Sequence, residues 1–318
     1  MLILNRPASI VTTLVCLTIL GAGCHRAPTP PAPKPKEKVI RVSLAAVGDV
    51  LLARGVARRI KKHGANYPFE KTKKIISGAD IAFFNLECPL SKRGVPQPRK
   101  YLFRGDPALA KVLHANGFDV ASLANNHTLD YGRTAMLDTA QVVQKAGIVA
   151  VGAGKNRKAA LGVRIVKRKG LRVGFIAYTD LPNLGVVRLA DKPTVAGADS
   201  GEIRGQVARA KAKCDVLVVS FHWGIEYMKR PTERQQKLAR LCIDSGADLV
   251  LGHHPHVTQT VEVYKGKPIV YSMGGFVWDG RLPGTKKSAI YMFELRKSFA
   301  YLVKAIPIDI VKSQPRVR

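Results

Sequence analysis

Five apolar segments of this chain each run into a residue able to ligate a metal ion, and this recurrence constrains the fold more than any other feature. Val39 to Val47 ends in Gly48-Asp49, Ile81 to Leu86 ends in Glu87, and Phe118 to Ala124 ends in Asn125-Asn126-His127. Val216 to Phe221 ends in His222, and Asp248 to Leu251 opens onto Gly252-His253-His254-Pro255-His256. Short, mostly aliphatic runs of this kind read as buried strands. A single Asp after Gly is ordinarily a turn residue, and a single His beside Trp223 is ordinarily a hydrogen-bonded core or surface residue. Five strand ends arriving at one chemistry are not explained that way.

Helix-like stretches lie between the strands. Asp106-Pro107 offers a cap and a proline for a first helical turn, and Arg133 to Ala146 and Pro231 to Ser245 have helical apolar spacing. Alternating strands and helices define an α/β class. Val163 to Val166 and Leu171 to Ala177, joined through Lys169-Gly170, read as a hairpin. Val257 to Tyr264 and Pro268 to Ser272 read as another around Lys265-Gly266, so antiparallel additions to the sheets are expected. No repeat or second linker interrupts the chain, and one catalytic domain over 39–312 is expected. A chain of 318 residues with 46% hydrophobic content can supply its core. Gly152-Ala153-Gly154-Lys155 resembles a phosphate loop only superficially, because the first glycine of that spacing falls on Val149, and it reads as a turn.

A two-metal hydrolase needs carboxylates for hard cations, imidazoles for zinc, iron or manganese, and a carboxylate to bridge ions about 3.5–4 Å apart. Loops at the C-terminal ends of strands hold such groups on a rigid frame. Asp49, Glu87, Asn126, His127, His222, His254 and His256 occupy those places. The expected cofactor is therefore one or two divalent metal ions (manganese, zinc or iron), and the expected reaction is hydrolysis. Phosphomonoester, phosphodiester and amide substrates all remain open. Glu226 is either an extra carboxylate facing the pocket or a solubilising residue, and Arg104 either meets an anionic substrate or is one exposed arginine among many.

The segments Gly48-Asp49, Asn85-Leu86-Glu87-Cys88-Pro89-Leu90 and Leu123 to Gly132 resemble the ordered signatures of the CapA, or poly-gamma-glutamate capsule synthesis, family. So do His222-Trp223-Gly224-Ile225-Glu226-Tyr227 and Gly252 to Val257, the whole match running from about Arg41 to Asp279. That family is similar to the calcineurin-like metallophosphoesterases. The resemblance implies a metallophosphoesterase-type four-layer sandwich, two mixed β-sheets flanked by helices, with a dinuclear site among the loops. Carried over by motif, Asp49 and His256 bind the first ion, Glu87 bridges, and Asn126, His222 and His254 bind the second. His127 stands beside them as general acid or donor to an anionic oxygen, with Asp130 or a neighbouring group orienting its ring. Two positions depart from the pattern: Leu51 stands where metallophosphoesterases carry the histidine of Asp-x-His, and Gly275 replaces the asparagine of Tyr-Ser-Leu-Gly-Asn-Phe.

At the N-terminus, Arg6 and the apolar stretch Ala8 to Leu20 precede Gly21-Ala22-Gly23-Cys24. The stretch falls short of the roughly 20 apolar residues of a membrane span and suits a signal-peptide core; the small residues before Cys24 resemble a lipobox. Residues 1–24 are thus expected to direct export and to end at a lipidated cysteine, an uncleaved anchor being the alternative. Residues 25–38, rich in Pro and Lys, form an extended tether from membrane to domain. Of the five cysteines, Cys88, Cys214 and Cys242 remain beyond this leader without CxxC spacing, which removes zinc-ribbon and redox readings and leaves room for one disulfide at most.

The formal net charge of +30 is spread along the whole chain and attracts polyanions or an anionic membrane surface. An exported chain without helix-turn-helix, RNP-like or finger patterns is not expected to bind nucleic acid. A compositional bias with no specific partner is the alternative. Two functions stand: a metal-dependent envelope hydrolase acting on an anionic polymer or phosphoester, and a capsule-assembly factor that guides a polyanion while its metal site is structural. The resemblance also implies a membrane capsule-synthesis complex as a partner.

Overall fold

The computed structural model describes residues 39–181 and 190–318, so the export and tether readings of residues 1–38 lie outside the described residues. The first part supplies β1 (Val42–Val50), α1 (Arg54–His63), α2 (Lys73–Ser77), β2 (Ile81–Leu86), α3 (Leu109–Ala115), β3 (Val120–Ser122), α4 (Gly132–Lys145) and β4 (Val149–Val151). Next come β5 (Ala153–Gly154), α5 (Arg157–Ala160), β6 (Arg164–Arg168), β7 (Leu171–Thr179), β8 (Thr194–Val195), α6 (Ser200–Lys211), β9 (Val216–His222), α7 (Glu233–Asp244) and β10 (Leu249–His253). The chain finishes with β11 (Val261–Tyr264), β12 (Lys267–Val270), β13 (Gly275–Val277), β14 (Lys287–Arg296), β15 (Phe299–Val311) and β16 (Gln314–Val317). Among the described residues no helix is long and apolar enough to cross a membrane.

Two mixed sheets carry the architecture. One has eight strands in the order β16-β15-β14-β1-β2-β3-β4 with β13 added beside β1; the other has six in the order β11-β12-β10-β9-β7-β6. Their central strands read as continuous apolar runs because both faces are buried, as the strands of parallel sheets covered on two sides must be. Leu44, Ala46 and Phe83 from the first sheet and Phe175, Val218 and Leu251 from the second fill the layer between them. The Phe83 and Phe175 rings stack across it with centroids 5.9 Å apart and planes at 7°. The opposite face of the first sheet, Ala45, Val47, Ala82 and Phe84, packs under Val56, Ile76, Leu113 and Met136 of the helices α1 to α4. On the second sheet, Ile176, Leu217, Val219 and Val250 meet Ile203 and Val207 of α6 and Leu238 and Cys242 of α7. Helix, sheet, sheet and helix thus form four layers, the expected sandwich.

Several boundaries differ from the sequence reading for local reasons. Asp106 Oδ1 accepts a hydrogen bond from the Ala108 amide at 2.9 Å, so Asp106-Pro107 makes a turn and α3 starts only at Leu109. α7 starts at Glu233 because Thr232 and Gln235 form a reciprocal capping box. Ala153-Gly154 pairs with β8 rather than forming a simple turn. Residues 257–260 lead into β11 instead of belonging to it. The compact unit runs Val39–Arg318, past the expected 312, because β16 pairs with β15. Cys88, Cys214 and Cys242 are buried and free.

The strand that matters most for the site is β1. β14 pairs with it antiparallel from Val42 to Ala46; beyond that β13 pairs with it parallel at Asp49 and Val50, and register shifts occur on both sides of Asp49. Such bulges re-aim a side chain. Gly48 makes this possible: a Cβ there would lie 1.8 Å from the Gly274 carbonyl oxygen, which accepts the Asp49 amide at 2.9 Å. Gly48→Ala is therefore expected to cost about 3 kcal/mol in urea unfolding. An unchanged midpoint would show that this backbone contact does not fix Asp49.

Candidate metal centre

Asp49 is fully buried. Its Oδ1 accepts a hydrogen bond from Asn85 Nδ2 at 2.8 Å, and its Oδ2 lies 3.0 Å from His256 Nδ1. His253 Nδ1 stands 3.4 Å from Oδ1. Burial opposes ionisation, but the imidazoles of His253 and His256 outweigh it and hold the Asp49 carboxyl well below the usual range. Asn85 is a hub between strand ends: its amide nitrogen is also 3.3 Å from His222 Nδ1, and its oxygen accepts from Asn125 Nδ2 at 3.0 Å. Asn125 Oδ1 in turn accepts the His127 amide at 3.0 Å.

Glu87, one residue past β2, is fully buried and neither carboxyl oxygen has a hydrogen-bond partner. His256 Nε2 is 3.6 Å from its Oε1, too far for a hydrogen bond. Burial first, then the neighbouring Asp49 and Glu226, push its carboxyl well above the usual range. His222 Nε2, His254 Nδ1 and Asn126 Oδ1 are also buried without a partner. Burial pushes His222 well below the ordinary imidazole value, and burial with His256 takes His254 down to about 3. Both rings are therefore neutral at neutral pH, the form that ligates metals.

The donor atoms of Asp49, Glu87 and His256 lie within 4.8 Å of one another, as do those of Glu226, His254 and His256. The His222 and His254 rings are 4.9 Å apart and those of His254 and His256 5.7 Å. The loop that brings them here is strained, with φ of +98° at His254 and +57° at His256. Leu51, by contrast, is fully buried in the core beneath the helices and offers no ligand. Five unpartnered buried atoms, two on Glu87 and one each on Asn126, His222 and His254, fit a divalent ion, since each left unsatisfied costs about 1–3 kcal/mol.

His127 sits at the edge of this cluster. Its Nδ1 is 2.9 Å from Asp130 Oδ2, and its ring stacks on Phe103 with centroids 4.0 Å apart. Asp130 is fully buried and held by the Phe103 amide at 2.7 Å and by the Arg99 guanidinium, which also bonds the Asn126 carbonyl. Arg104 stacks 3.4 Å over the Tyr131 ring and bonds the carbonyls of Arg93 and Gly94, which is a structural placement. A side chain at Gly275 would meet Trp278 at 2.9 Å; that indole instead stacks on His256, with centroids 4.0 Å apart. Asn85, His253, Arg99, Phe103 and Trp278 were not singled out from sequence. Asn85 and His253 had a signal, since both stand inside segments that carry the family resemblance.

The cluster opens into a cavity of about 1220 Å³ with His127, Glu226, His256 and Trp278 among its lining residues. Arg58, Arg59, Lys62, Arg281, Lys286 and Lys312 also line it.

Two sheets between helices, with the donor set among the loops at their strand ends, define a calcineurin-like phosphoesterase fold. The solved structures bear this out. NAD nucleotidase (NadN) of Haemophilus influenzae aligns with a TM-score of 0.53 at 11% identity, covering 86% of this chain and 56% of its own. A putative 5'-nucleotidase from Staphylococcus aureus aligns with a TM-score of 0.52 at 16% identity, covering 86% and 55%. This chain therefore spans little more than half of either protein. The sequence model of the family "Bacterial capsule synthesis protein PGA_cap" matches residues 43–280, and the chain belongs to that family. Capsule biosynthesis protein CapA of Bacillus anthracis is 30% identical over 98% of this chain and 78% of its own length. PGA biosynthesis protein CapA of Bacillus subtilis is 34% identical over 86% and 73%.

The buried imidazoles set a pH signature for metal-stripped protein. Between an unfolded value of about 6.5 and the folded value of about 3, the unfolded state binds a proton at His254 that the folded state refuses. Stability therefore falls as pH falls through that window; His222 acts in the same direction and Glu87 in the opposite one. With chelator present, His254→Asn is expected to flatten the stability–pH slope between pH 4.5 and 6 by about 1.4 kcal/mol per pH unit in denaturant titrations. Parallel slopes for the two proteins would contradict a buried neutral His254.

Proposed function

We propose that this chain is a metal-dependent hydrolase of the cell envelope that cleaves a phosphoester-like bond in, or attached to, an anionic polymer during capsule or poly-gamma-glutamate synthesis. The observation that carries this reading is the set of buried, unpartnered donors on Glu87, Asn126, His222 and His254 beside an oriented His127 that lines a cavity rich in cations. Asp49 and His256 would hold one ion, Asn126, His222 and His254 a second, and Glu87 both. Bound divalent ions would supply Lewis acidity and a lowered pKa for an attacking water.

The chain's own residues do the rest. Asp130 engages His127 Nδ1, which leaves Nε2 to present a proton to the leaving group. Arg99 and the Phe103 amide hold the Asp130 carboxylate, and the Phe103 ring sets the imidazole plane, so the proton is delivered from one fixed direction. His127→Ala is expected to lower turnover of an aryl phosphodiester with added manganese by about 10²–10⁴-fold at unchanged bound metal. Bound metal without any turnover in the unsubstituted chain would move the reading to binding alone.

That second reading is a non-catalytic assembly factor holding a polyanion, with its metals structural, and the cation-lined cavity favours it. Among the described residues, Arg58, Arg59, Lys62, Arg281, Lys286 and Lys312 have no ion pair, so their charge is free for an anionic chain. The names of the two CapA relatives support a place beside a polymer-synthesis system for either reading. For location, we propose export by residues 1–24, lipid attachment at Cys24 and a tether over 25–38. Cys24→Ser is expected to shift the chain from the membrane to the soluble fraction of cells; retention in the membrane would favour an uncleaved anchor.

A further inference from the structure

We propose that Glu226 is a ligand of the metal centre, closing from the cavity side the donor set that Asp49, Glu87 and His256 form from the strand ends. The inference rests on the reading that the site holds metal. Two donor triplets, Asp49 with Glu87 and His256, and Glu226 with His254 and His256, meet at His256. Glu226 Oε1 is 4.0 Å from His256 Nε2, and His254 Nδ1, buried without a partner, belongs to the same triplet. Transition-metal ions take four or more donors, whereas Asp49, Glu87 and His256 offer three side chains. Leu51, just past the end of β1, cannot add a fourth, because it is apolar and fully buried in the core beneath the helices.

The segment carrying Glu226 is fixed to the loop carrying the histidines. The Tyr227 amide bonds the Pro255 carbonyl at 2.8 Å, with Tyr227 held at φ +66°. Gly224, at φ +85°, leaves room for the Gln235 amide, which a Cβ would meet at 2.6 Å, and Gln235 bonds Gln259 at 3.0 Å. The backbone that carries Glu226 is therefore fixed relative to the loop of His254 and His256. Arginines and lysines line the same cavity, yet among the described residues Glu226 has no ion pair with Lys or Arg. A carboxylate that shuns this many cations and faces two imidazoles is placed for a different cation. Three carboxylates around one centre favour a hard divalent ion such as manganese over zinc.

The test is calorimetric titration of Mn²⁺ into the metal-stripped chain and its Glu226→Gln variant, with thermal unfolding of both apo forms as the folding control. The expected result is at least a tenfold weaker Kd for one Mn²⁺ ion in the variant at an unchanged apo melting temperature. A second measurement, anomalous diffraction from Mn²⁺-loaded crystals of the unsubstituted chain, is expected to place a Glu226 Oε about 2.2 Å from an ion. Equal affinity and stoichiometry in the two proteins, or a loaded centre with Glu226 beyond bonding reach, would overturn the inference and leave the metal centre standing. No Mn²⁺ uptake by the unsubstituted chain would overturn both.

Discussion

Asp49 carries a charge while fully buried, and its partners come from separate parts of the chain. Asn85 reaches it from β2 in the first sheet, His253 from β10 in the second, and His256 from the loop beyond β10. A buried carboxylate left unpaired would neutralise rather than remain charged. The sandwich can close around an ionised Asp49 only if both sheets deliver their polar ends to the same point. The apolar layer between the sheets fixes how they face each other, and the Asp49 network fixes where their strand ends meet.

This arrangement works against stability in ways that point outward to a ligand. His254 and His256 hold backbone angles that most residues avoid, and Glu87 is buried with neither oxygen bonded. Strain of order 1–3 kcal/mol at such a residue persists only where the surroundings over-determine it. Here Gly252 lets the Tyr271 carbonyl approach to where a Cβ would stand 1.9 Å away, and the Tyr227 amide ties down Pro255. The scaffold is thus built to hold unsatisfied donors in place, which is the condition for taking up an ion without rearrangement.

The strand ends were legible because burial on both faces forces unbroken apolar runs, and a polar ligand after such a run stands out. β2 lay within its expected bounds, and Glu87, His222, His254 and His256 fell where the runs predicted. The helices were less legible. α1 was missed because its apolar stripe is thin among Arg58, Arg59, Lys61 and Lys62, with only Val56 buried. The meander of β14, β15 and β16 escaped because β15 is exposed along much of one side and so shows no clean apolar run. Asn85, Arg99 and Trp278 act by orienting other residues. That role depends on three-dimensional neighbours which spacing along the chain does not encode. Gly275 reads in sequence as the loss of an amide; in space it is the clearance that lets Trp278 stack on His256.

The basic residues fall into those paired with acids and those left without one. Many arginines and lysines are spent on individual acids, as in Arg172 with Asp215, Arg93 with Asp138, and Lys211 and Lys267 on the buried Asp248. With 52 Lys and Arg against 22 Asp and Glu, more than half of the cations have no acid to pair with, at the cavity and elsewhere. At the cavity, six of the unpaired cations gather around one opening that also holds Glu226 and an Asp279 already bonded to Arg54. Screening limits each charge to a reach of about 8 Å at physiological salt, so distant lysines contribute little to the potential inside the cavity. The cations lining the cavity are what an anion approaching it meets, and they act on its encounter and retention. The buried donor set and the cations lining the cavity are therefore separable properties of one region, and a chain that lost the first would still keep the second.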